Sequence, residues 1–220
     1  MIEALSTDGL ADRRLASIAF ERLLAMVISG ELPAGAQLQE RRLADLMDMS
    51  RTPVREALNK LESDGIVERA HGRLLQVRDI PVREIIEVLH IRRVLEGEGA
   101  RLAASRMNAA TIDRLRRSLQ ELQREAEPES ENHWRVDDDF HNSIAAATGN
   151  AMLMQMVQNL RLKTRIFNTR QLPERRDPGA QEHLTILDAI ADHDETKARK
   201  AMERHIENVK HAILRKLGEI

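Results

Sequence analysis

The sequence contains no cysteine and no tyrosine, and its aromatic residues are three Phe and one Trp among 220 residues. Without cysteine, the chain cannot form disulfides, use a thiolate for catalysis or bind zinc through sulfur. A core with so few aromatic side chains must be built from Leu, Ile, Val, Ala and Met, which favours packed helices over sheets. The composition therefore predicts a mainly α-helical protein.

Long apolar segments are also missing. No run approaches the roughly 20 apolar residues that a membrane span needs, and the N-terminus MIEALSTDGLADRR lacks the apolar core of a signal peptide. With 42% hydrophobic residues the chain can still bury a core, which argues against disorder throughout. We expect a soluble, cytoplasmic protein that does not bind membranes.

Neither sign of charge dominates. The 34 basic and 36 acidic side chains give a net charge of −2, so the total neither indicates nor excludes a nucleic-acid partner. Any case for DNA binding must rest on where individual arginines lie.

Short helical patterns fill the first part of the chain. We predict a flexible tail over residues 1–13, followed by helices at 14–29 and 40–47, where apolar residues recur at helical spacing. Ser50 can cap a third helix, with Pro53 in its first turn, where the missing N–H costs little.

A β-like stretch follows the third helix. Gly65 ends that helix, and residues 65–77 predict two short strands around a turn at His71-Gly72. The order helix, helix, turn, helix, hairpin over residues 14–78 resembles a winged helix-turn-helix. Its motifs SRTPVREAL and LESDGIV, with the short glycine-containing wing, resemble the DNA-binding domain of GntR-type bacterial transcription regulators.

In such a fold the third helix enters the major groove, where its N-terminal residues meet base edges. Arg51 and Arg55 lie four residues apart on one helix face, and each guanidinium can bond both O6 and N7 of a guanine. The alternative is that Arg51 pairs with Glu56 or Asp48 on a solvated face. Ser50, Thr52 and the first N–H groups of this helix can hold a phosphate. The resemblance implies further DNA contacts by Arg41 on the second helix and by His71, Gly72 and Arg73 in the wing.

From residue 79 to residue 220 the apolar periodicity stays helical. It predicts an all-α bundle with Thr111 and Asp194 as N-caps and with six helices, at 82–104, 111–127, 131–148, 151–170, 179–192 and 195–217. This part resembles the FCD ligand-binding domain found in one GntR subfamily, and six helices are similar to its shorter, VanR-like branch. The resemblance implies that it binds a metal and an effector and dimerises.

Three histidines and one aspartate stand out in this part. Asp137 and His141 share a helix face at positions i and i+4. His183 and His205 each lie eleven residues from position 194, in the break between the last two helices. In an antiparallel hairpin both would stand roughly 16 Å from the turn, so they could meet one cation.

One carboxylate and three imidazoles suit a borderline divalent metal, so we expect zinc, with nickel and manganese as alternatives. Metal-binding FCD proteins use this Asp, His, His, His set, and the resemblance maps it onto Asp137, His141, His183 and His205. Asp138 is a rival for the aspartate position. A lone histidine on a helix is usually a surface or core-edge residue, which is the interpretation we give to His90, His133, His193 and His211.

A metal with open positions attracts carboxylates, and FCD proteins sense small organic or sugar acids in this way. The resemblance suggests Arg92 as the residue that binds the effector carboxylate. An intrahelical pair with Glu96 is the alternative role for Arg92, and Arg161 and Arg165 are weaker effector candidates.

The sequence as a whole predicts a ligand-responsive transcription regulator and not an enzyme. By the family resemblance it would be a repressor that binds an inverted-repeat operator in double-stranded DNA as a homodimer. Two rival hypotheses remain: a metal-dependent hydrolase that uses the Asp/His site, and a DNA-binding regulator whose metal is purely structural.

Overall fold

The computed structural model describes residues 7–70, 72, 74–125, 131–167 and 176–218. The chain divides into two compact units, Met1–Ile80 and Pro81–Ile220. The sequence placed this boundary two residues earlier, after residue 78. The mainly α-helical fold class is confirmed, since the described residues form helices and one two-stranded hairpin.

The first unit has the predicted order of helix, helix, turn, helix and hairpin. Its elements are α1 (Thr7–Ser29), α2 (Glu40–Met47), α3 (Arg51–Ser63), β1 (Val67–Ala70) and β2 (Leu74–Val77). Helix α1 begins at Thr7, so residues 7–13 are helical where a flexible tail was predicted, and residues 1–6 of that predicted tail lie outside the described residues. Gly9 costs about 1 kcal/mol relative to alanine inside a helix, which is too little to end one whose neighbours favour it.

The hairpin gains a third partner that the sequence did not predict. Strands β1 and β2 pair antiparallel, with Val67 opposite Val77, and Gly72 turns the chain at φ +77°. Gln37 forms an isolated bridge with Gln76, and the Leu38 N–H donates to the Leu75 carbonyl at 2.8 Å. The loop between α1 and α2 is thereby tied to the edge of the wing.

Helix α3 turns one face to the core of this unit. Val54, Leu58 and Leu61 on that face are fully buried and pack in a core that also contains Leu23 of α1 and Ile66. Burying a side chain of this size contributes about 1.5–3 kcal/mol, so the rotation of α3 about its axis is fixed. The opposite face of α3 is exposed to solvent in this unit.

The second unit contains the six predicted helices. They are α4 (Val82–Arg106), α5 (Ala109–Arg124), α6 (Glu131–Ala147), α7 (Ala151–Ile166), α8 (Arg176–Ala191) and α9 (Glu195–Lys216). Asp194 is the N-cap of α9, as predicted, and accepts a hydrogen bond from the Lys197 N–H at 2.9 Å.

Two helix starts differ from the sequence prediction. Asn108, rather than Thr111, caps α5, because the Asn108 side chain accepts a hydrogen bond from the Thr111 N–H. Helix α8 begins at Arg176, three residues earlier than predicted. Pro178 lies in its first turn, where a proline removes no intrahelical hydrogen bond. The predicted helix residues 126–127 and 168–170 lie outside the described residues.

Helix α4 is the centre of the second unit and packs against α6, α7, α8 and α9. Small side chains allow the close approach. A Cβ atom at Gly97 would lie 2.9 Å from Glu203 Cγ on α9. Side chains from the four helices around α4 therefore meet in one interior, where Phe140 of α6 is fully buried.

Candidate functional site

The N-terminal end of α3 carries the polar residues expected to contact DNA. Arg51, Thr52 and Arg55 are exposed on this helix, and Arg41 is exposed on α2. Ser50 occupies the N-cap position in an extended conformation, and within the described chain its hydroxyl makes no capping hydrogen bond. The first N–H groups of α3 and this hydroxyl are thus placed where an anion could be bound.

The wing is described in part. Gly72 is exposed at the tip of the hairpin in a left-handed conformation that favours glycine. The predicted contacts His71 and Arg73 lie outside the described residues.

Both arginines of α3 bind one carboxylate. Arg55 donates from Nε to Glu40 Oε1 at 3.0 Å and from Nη2 to Glu40 Oε2 at 2.8 Å. Arg51 Nη2 donates to the same Oε2 at 3.1 Å. The sequence had offered Glu56 or Asp48 as an acidic partner of Arg51, and the structure gives this role to Glu40 instead.

In the second unit three buried imidazoles converge. His141 of α6, His183 of α8 and His205 of α9 each offer a ring nitrogen, and these nitrogens all lie within 4.8 Å of one another. The Nε2 atoms of His183 and His205 are 3.2 Å apart. The His183 ring stacks on Phe140, with 4.2 Å between the ring centroids, so an apolar side chain fixes its plane.

Asp137 brings the fourth predicted group to the same place. Its Oδ1 lies 3.7 Å from His183 Nε2 and 3.9 Å from His141 Nε2. Its other oxygen, Oδ2, accepts a hydrogen bond from Arg161 at 2.6 Å. The rival Asp138 accepts hydrogen bonds from Arg161 and Arg165. The contacts therefore place Asp137 beside the imidazoles and Asp138 against the arginines.

Two glutamates lie against the outer nitrogens of two of the imidazoles, those of His205 and His141. Glu182 Oε2 lies 2.8 Å from His205 Nδ1, and Glu182 Oε1 accepts a hydrogen bond from Asn208 at 2.8 Å. Glu96 Oε2 lies against His141 Nδ1. A carboxylate on one ring nitrogen fixes the ring orientation and leaves the other nitrogen with its lone pair toward the cluster.

Burial keeps two of the imidazoles, those of His141 and His183, uncharged. Burial, and next the positive charge of Arg161, lower the pKa of His141 to about 4. Burial and the neighbouring imidazoles lower the pKa of His183 well below its usual range. For Asp137, burial raises the pKa, but Arg161 and the imidazoles outweigh it and hold that pKa well below the usual range. At neutral pH the cluster therefore consists of two neutral imidazoles and one carboxylate beside His205.

Arg92 forms the intrahelical pair that was the alternative to its effector role. Its Nε donates to Glu96 Oε1 at 2.7 Å, and both side chains are almost fully buried, at 5% and 3% exposure. Because Glu96 also contacts His141, this pair connects α4 directly to the imidazole cluster.

The four remaining histidines lie outside the cluster. His193 Nδ1 bonds to the Ala104 carbonyl at 2.7 Å, His211 lies 3.4 Å from Glu207, and His133 packs edge-on against Trp134. His90 lines a surface groove between α4 and α9. Their positions agree with the structural interpretation given to them.

The cluster fits a divalent metal by the chemistry of its donors. His141 Nε2 is buried and has no hydrogen-bond partner among the described residues, an unfavourable state for a polar atom unless it binds something else. Neutral imidazoles whose outer nitrogens are held by carboxylates are the usual ligands of zinc and related ions. Three nitrogens and one Asp137 oxygen are available for this purpose.

The sequence prediction missed the residues that support the cluster. Glu182 directly precedes His183, yet its carboxylate binds His205 on the next helix. The sequence indicated Glu96 only as a possible partner of Arg92, although Glu96 also contacts His141. Spacing within one helix could not reveal either contact, since both join different helices.

Two family models match the chain. "Bacterial regulatory proteins, gntR family" matches residues 15–77, and "FCD domain" matches residues 87–208, which is more than half of the chain. Within the described residues, no helix is both long enough and apolar enough to cross a membrane.

Proteins of known name are similar over most of their length. An uncharacterized HTH-type transcriptional regulator YcbG of Bacillus subtilis is 29% identical, over 99% of this chain and 98% of that protein. The Glc operon transcriptional activator of Escherichia coli K12 is 27% identical, over 90% of this chain and 88% of that protein. Among solved structures, E. coli McbR/YncC superposes with a TM-score of 0.80 at 24% identity, covering 92% of this chain and 98% of that one, which supports the fold.

These matches follow the two units, with the gntR-family model on the first and the FCD model on the second. They identify a DNA-binding transcription regulator and not an enzyme, so the hydrolase hypothesis is dropped. The chain belongs to the GntR family of bacterial transcription regulators and carries an FCD domain after its helix-turn-helix domain.

Proposed function

We propose that the FCD domain binds a divalent metal through Asp137, His141, His183 and His205, and a small carboxylate effector next to it. The observation that carries this proposal is the convergence of three buried imidazole nitrogens within 4.8 Å of one another. His183 and His205 can bond to each other, but His141 Nε2 is buried without a hydrogen-bond partner among the described residues, which costs stability because this nitrogen loses its water. A bound cation offsets that cost.

Zinc is the expected metal, with nickel and manganese as alternatives, because nitrogen donors and one carboxylate suit these borderline ions. When bound, the ion supplies positive charge and open positions for an oxygen ligand. His141 and His183 need no deprotonation at neutral pH, since their pKa values are lowered.

Charge balance supports an anionic effector. The described interior already pairs Arg92 with Glu96 and Arg161 with Asp137. A divalent ion adds two positive charges beside these pairs, of which the Glu182 carboxylate on His205 offsets one, and a carboxylate ligand can offset another. The bond to Glu96 uses Arg92 Nε, so the Nη1/Nη2 edge of Arg92 is the one that we assign to the effector. Small organic or sugar acids fit this chemistry.

For the first unit we propose that the chain binds an inverted-repeat operator as a homodimer. The residues assigned to DNA contacts are Arg41, Ser50, Arg51, Thr52, Arg55, His71, Gly72 and Arg73. The exposed end of α3 supports base reading by Arg51 and Arg55, which retain 61% and 53% side-chain exposure. We propose repression as its role. One E. coli relative is named as a transcriptional activator. A reporter assay distinguishes the two roles, and activation of the reporter by this chain would overturn the proposal of repression.

Metal and effector can be tested together. The purified chain is treated with chelator, and its melting temperature is measured with zinc, nickel or manganese, each with and without a panel of small carboxylic acids. A ligand of the native state raises the melting temperature. We expect stabilisation by a metal and a further increase with one class of acid only when metal is present.

The same assay tests the alternative hypothesis, in which the metal is purely structural and no effector binds next to it. If the metal stabilises the chain but no acid adds to it or alters the binding of operator DNA, the metal is purely structural. If no metal raises the melting temperature, the metal site itself is wrong.

A further inference from the structure

Glu40 binds both arginines that are assigned to base reading. Its carboxylate accepts three hydrogen bonds, two from Arg55 in a fork and one from Arg51, at distances between 2.8 and 3.1 Å. Forked bonds between a guanidinium and a carboxylate fix the direction of the arginine as well as holding it. Two cations thus share one anion at the start of the recognition helix.

The backbone of the helix-turn-helix places these three residues close to one another. Glu40 is the first residue of α2, whereas Arg51 and Arg55 lie in the first two turns of α3. Asp48 ends α2 with a left-handed φ of +53°, and the Met49 N–H bonds back to the Ala44 carbonyl at 3.0 Å. This tight turn folds α3 back so that Arg51 and Arg55 reach Glu40 at the start of α2.

The carboxylate is ionised when it holds the arginines. The bonds from Arg55 and Arg51 outweigh the effect of burial and lower the pKa of Glu40, and the same contact raises the pKa of Arg55. At neutral pH the three side chains therefore carry a net charge of +1 in place of the +2 of the two arginines alone.

This charge and geometry affect two kinds of DNA binding differently. A phosphate contact is available to any extended arginine, but an arginine that leaves Glu40 for a phosphate gives up its charge-assisted bonds to that carboxylate. It also leaves Glu40 with a single arginine beside the negatively charged DNA backbone. Base reading needs a guanidinium whose direction is fixed. The fork to Glu40 uses the Nε and Nη2 atoms of Arg55, which leaves Nη1 outside these bonds.

We propose that Glu40 is a specificity-determining positioning residue, which restrains Arg51 and Arg55 from DNA phosphates and directs them to base edges. This inference rests on the proposed DNA contacts of Arg51 and Arg55. Glu40 itself touches neither base nor phosphate in this role. Its loss should therefore increase binding to arbitrary DNA more than binding to the operator.

The test compares Glu40→Gln with Glu56→Gln in the full-length chain. Both variants remove one negative charge from the helix-turn-helix, and Glu56 is an exposed residue of α3 next to Arg55. The probes are a duplex selected from a random library by the wild-type chain and a scrambled duplex of equal length and composition. Dissociation constants are measured for both probes over a series of salt concentrations.

For Glu40→Gln we expect the ratio of scrambled to selected dissociation constants to fall roughly tenfold or more below that of Glu56→Gln. The salt dependence on the scrambled duplex should steepen by about one unit, as one further phosphate contact forms. Equal behaviour of the two variants would overturn the proposal, because net charge alone would then explain the effect.

A second comparison distinguishes failure of this inference from failure of the proposed contacts. In the background of Arg51→Ala and Arg55→Ala, Glu40→Gln should have no more effect than Glu56→Gln. If those alanine substitutions leave binding to the selected duplex unchanged, the proposed contacts are wrong. If they abolish selectivity but Glu40→Gln still acts in their background, the contacts are right and the role of Glu40 is wrong.

Discussion

His183 and His205 bring their Nε2 atoms to 3.2 Å from each other, although 22 residues separate them in the sequence. They lie on α8 and α9, two packed helices joined by residues 192–194. Two nitrogens at this distance can share a proton, or they can turn toward a common cation. The pairing is set by helix packing, so we expect the site to be largely formed before any metal binds.

Loss of one imidazole should remove most of the metal affinity. His205→Ala leaves two imidazoles and one carboxylate. We therefore expect its zinc affinity to fall by more than the roughly 10–100-fold that is typical when a residue hydrogen-bonded to a metal ligand is substituted. Isothermal titration of the chelator-treated chain measures the effect. His211→Ala is the matched control, because His211 lies on the same helix but contacts Glu207 outside the cluster. Equal affinities of the two variants would contradict the ligand assignment.

Glu182 should affect metal binding without being a ligand. Its carboxylate holds His205 Nδ1 at 2.8 Å, so Glu182→Gln should weaken zinc binding roughly 10–100-fold by loosening the ring. Glu207→Gln is the control, since Glu207 pairs with Lys210 and His211 at the surface. A fall in affinity in the control as large as that in Glu182→Gln would point to a general loss of negative charge.

The buried pair on α4 should matter far more than an exposed pair of the same spacing. Arg92→Ala leaves Glu96 charged and buried, which should cost about 3–5 kcal/mol of unfolding free energy. Arg83→Ala breaks an exposed Arg–Glu pair on the same helix and should cost about 0–1 kcal/mol. Urea denaturation followed by fluorescence reports this unit, because the single Trp of the chain, Trp134, lies in it. Similar costs for the two variants would show that the Arg92 pair is not buried in solution.

The metal-free FCD domain should lose stability in mild acid. The pKa of His141 is lowered to about 4 in the folded chain, whereas an unfolded histidine titrates near 6.5. The unfolded state therefore binds this proton more readily, and the stability is complete above about pH 6.5 and is lost as the pH falls toward 4. Urea denaturation in chelator should show this between pH 7 and 5.5. His141→Gln should be less sensitive to pH over that range, and an unchanged slope would contradict the assignment.

Much of the fold could be predicted because its signals are local. Apolar periodicity indicated each helix in the part of the chain that the structure describes, and Asp194 could be recognised as a cap from its position before α9. Helix starts were less certain where several residues could serve. Thr111 and Asn108 are both plausible caps, and only the observed hydrogen bond between them assigns the role to Asn108.

The candidate site was predictable only in its central residues. Histidines at matched distances from a turn indicate a cluster, and the structure brings His183 and His205 together. Their supporting contacts depend on tertiary packing. Glu182 binds across to α9, and Glu40 reaches Arg55 from another helix, so neither contact follows a helical repeat.

The close contact at Gly97 has a consequence for which sequences this fold can accept. A methyl group at Gly97 would overlap Glu203, so either α9 moves outward or Glu203 turns away from Arg199, with which it now pairs at 2.9 Å. Gly97 is adjacent to Glu96, and Glu203 lies two residues before His205 on α9. Even an alanine at Gly97 should therefore be accepted only if Glu203 or α9 shifts, although a glycine offers no donor atom.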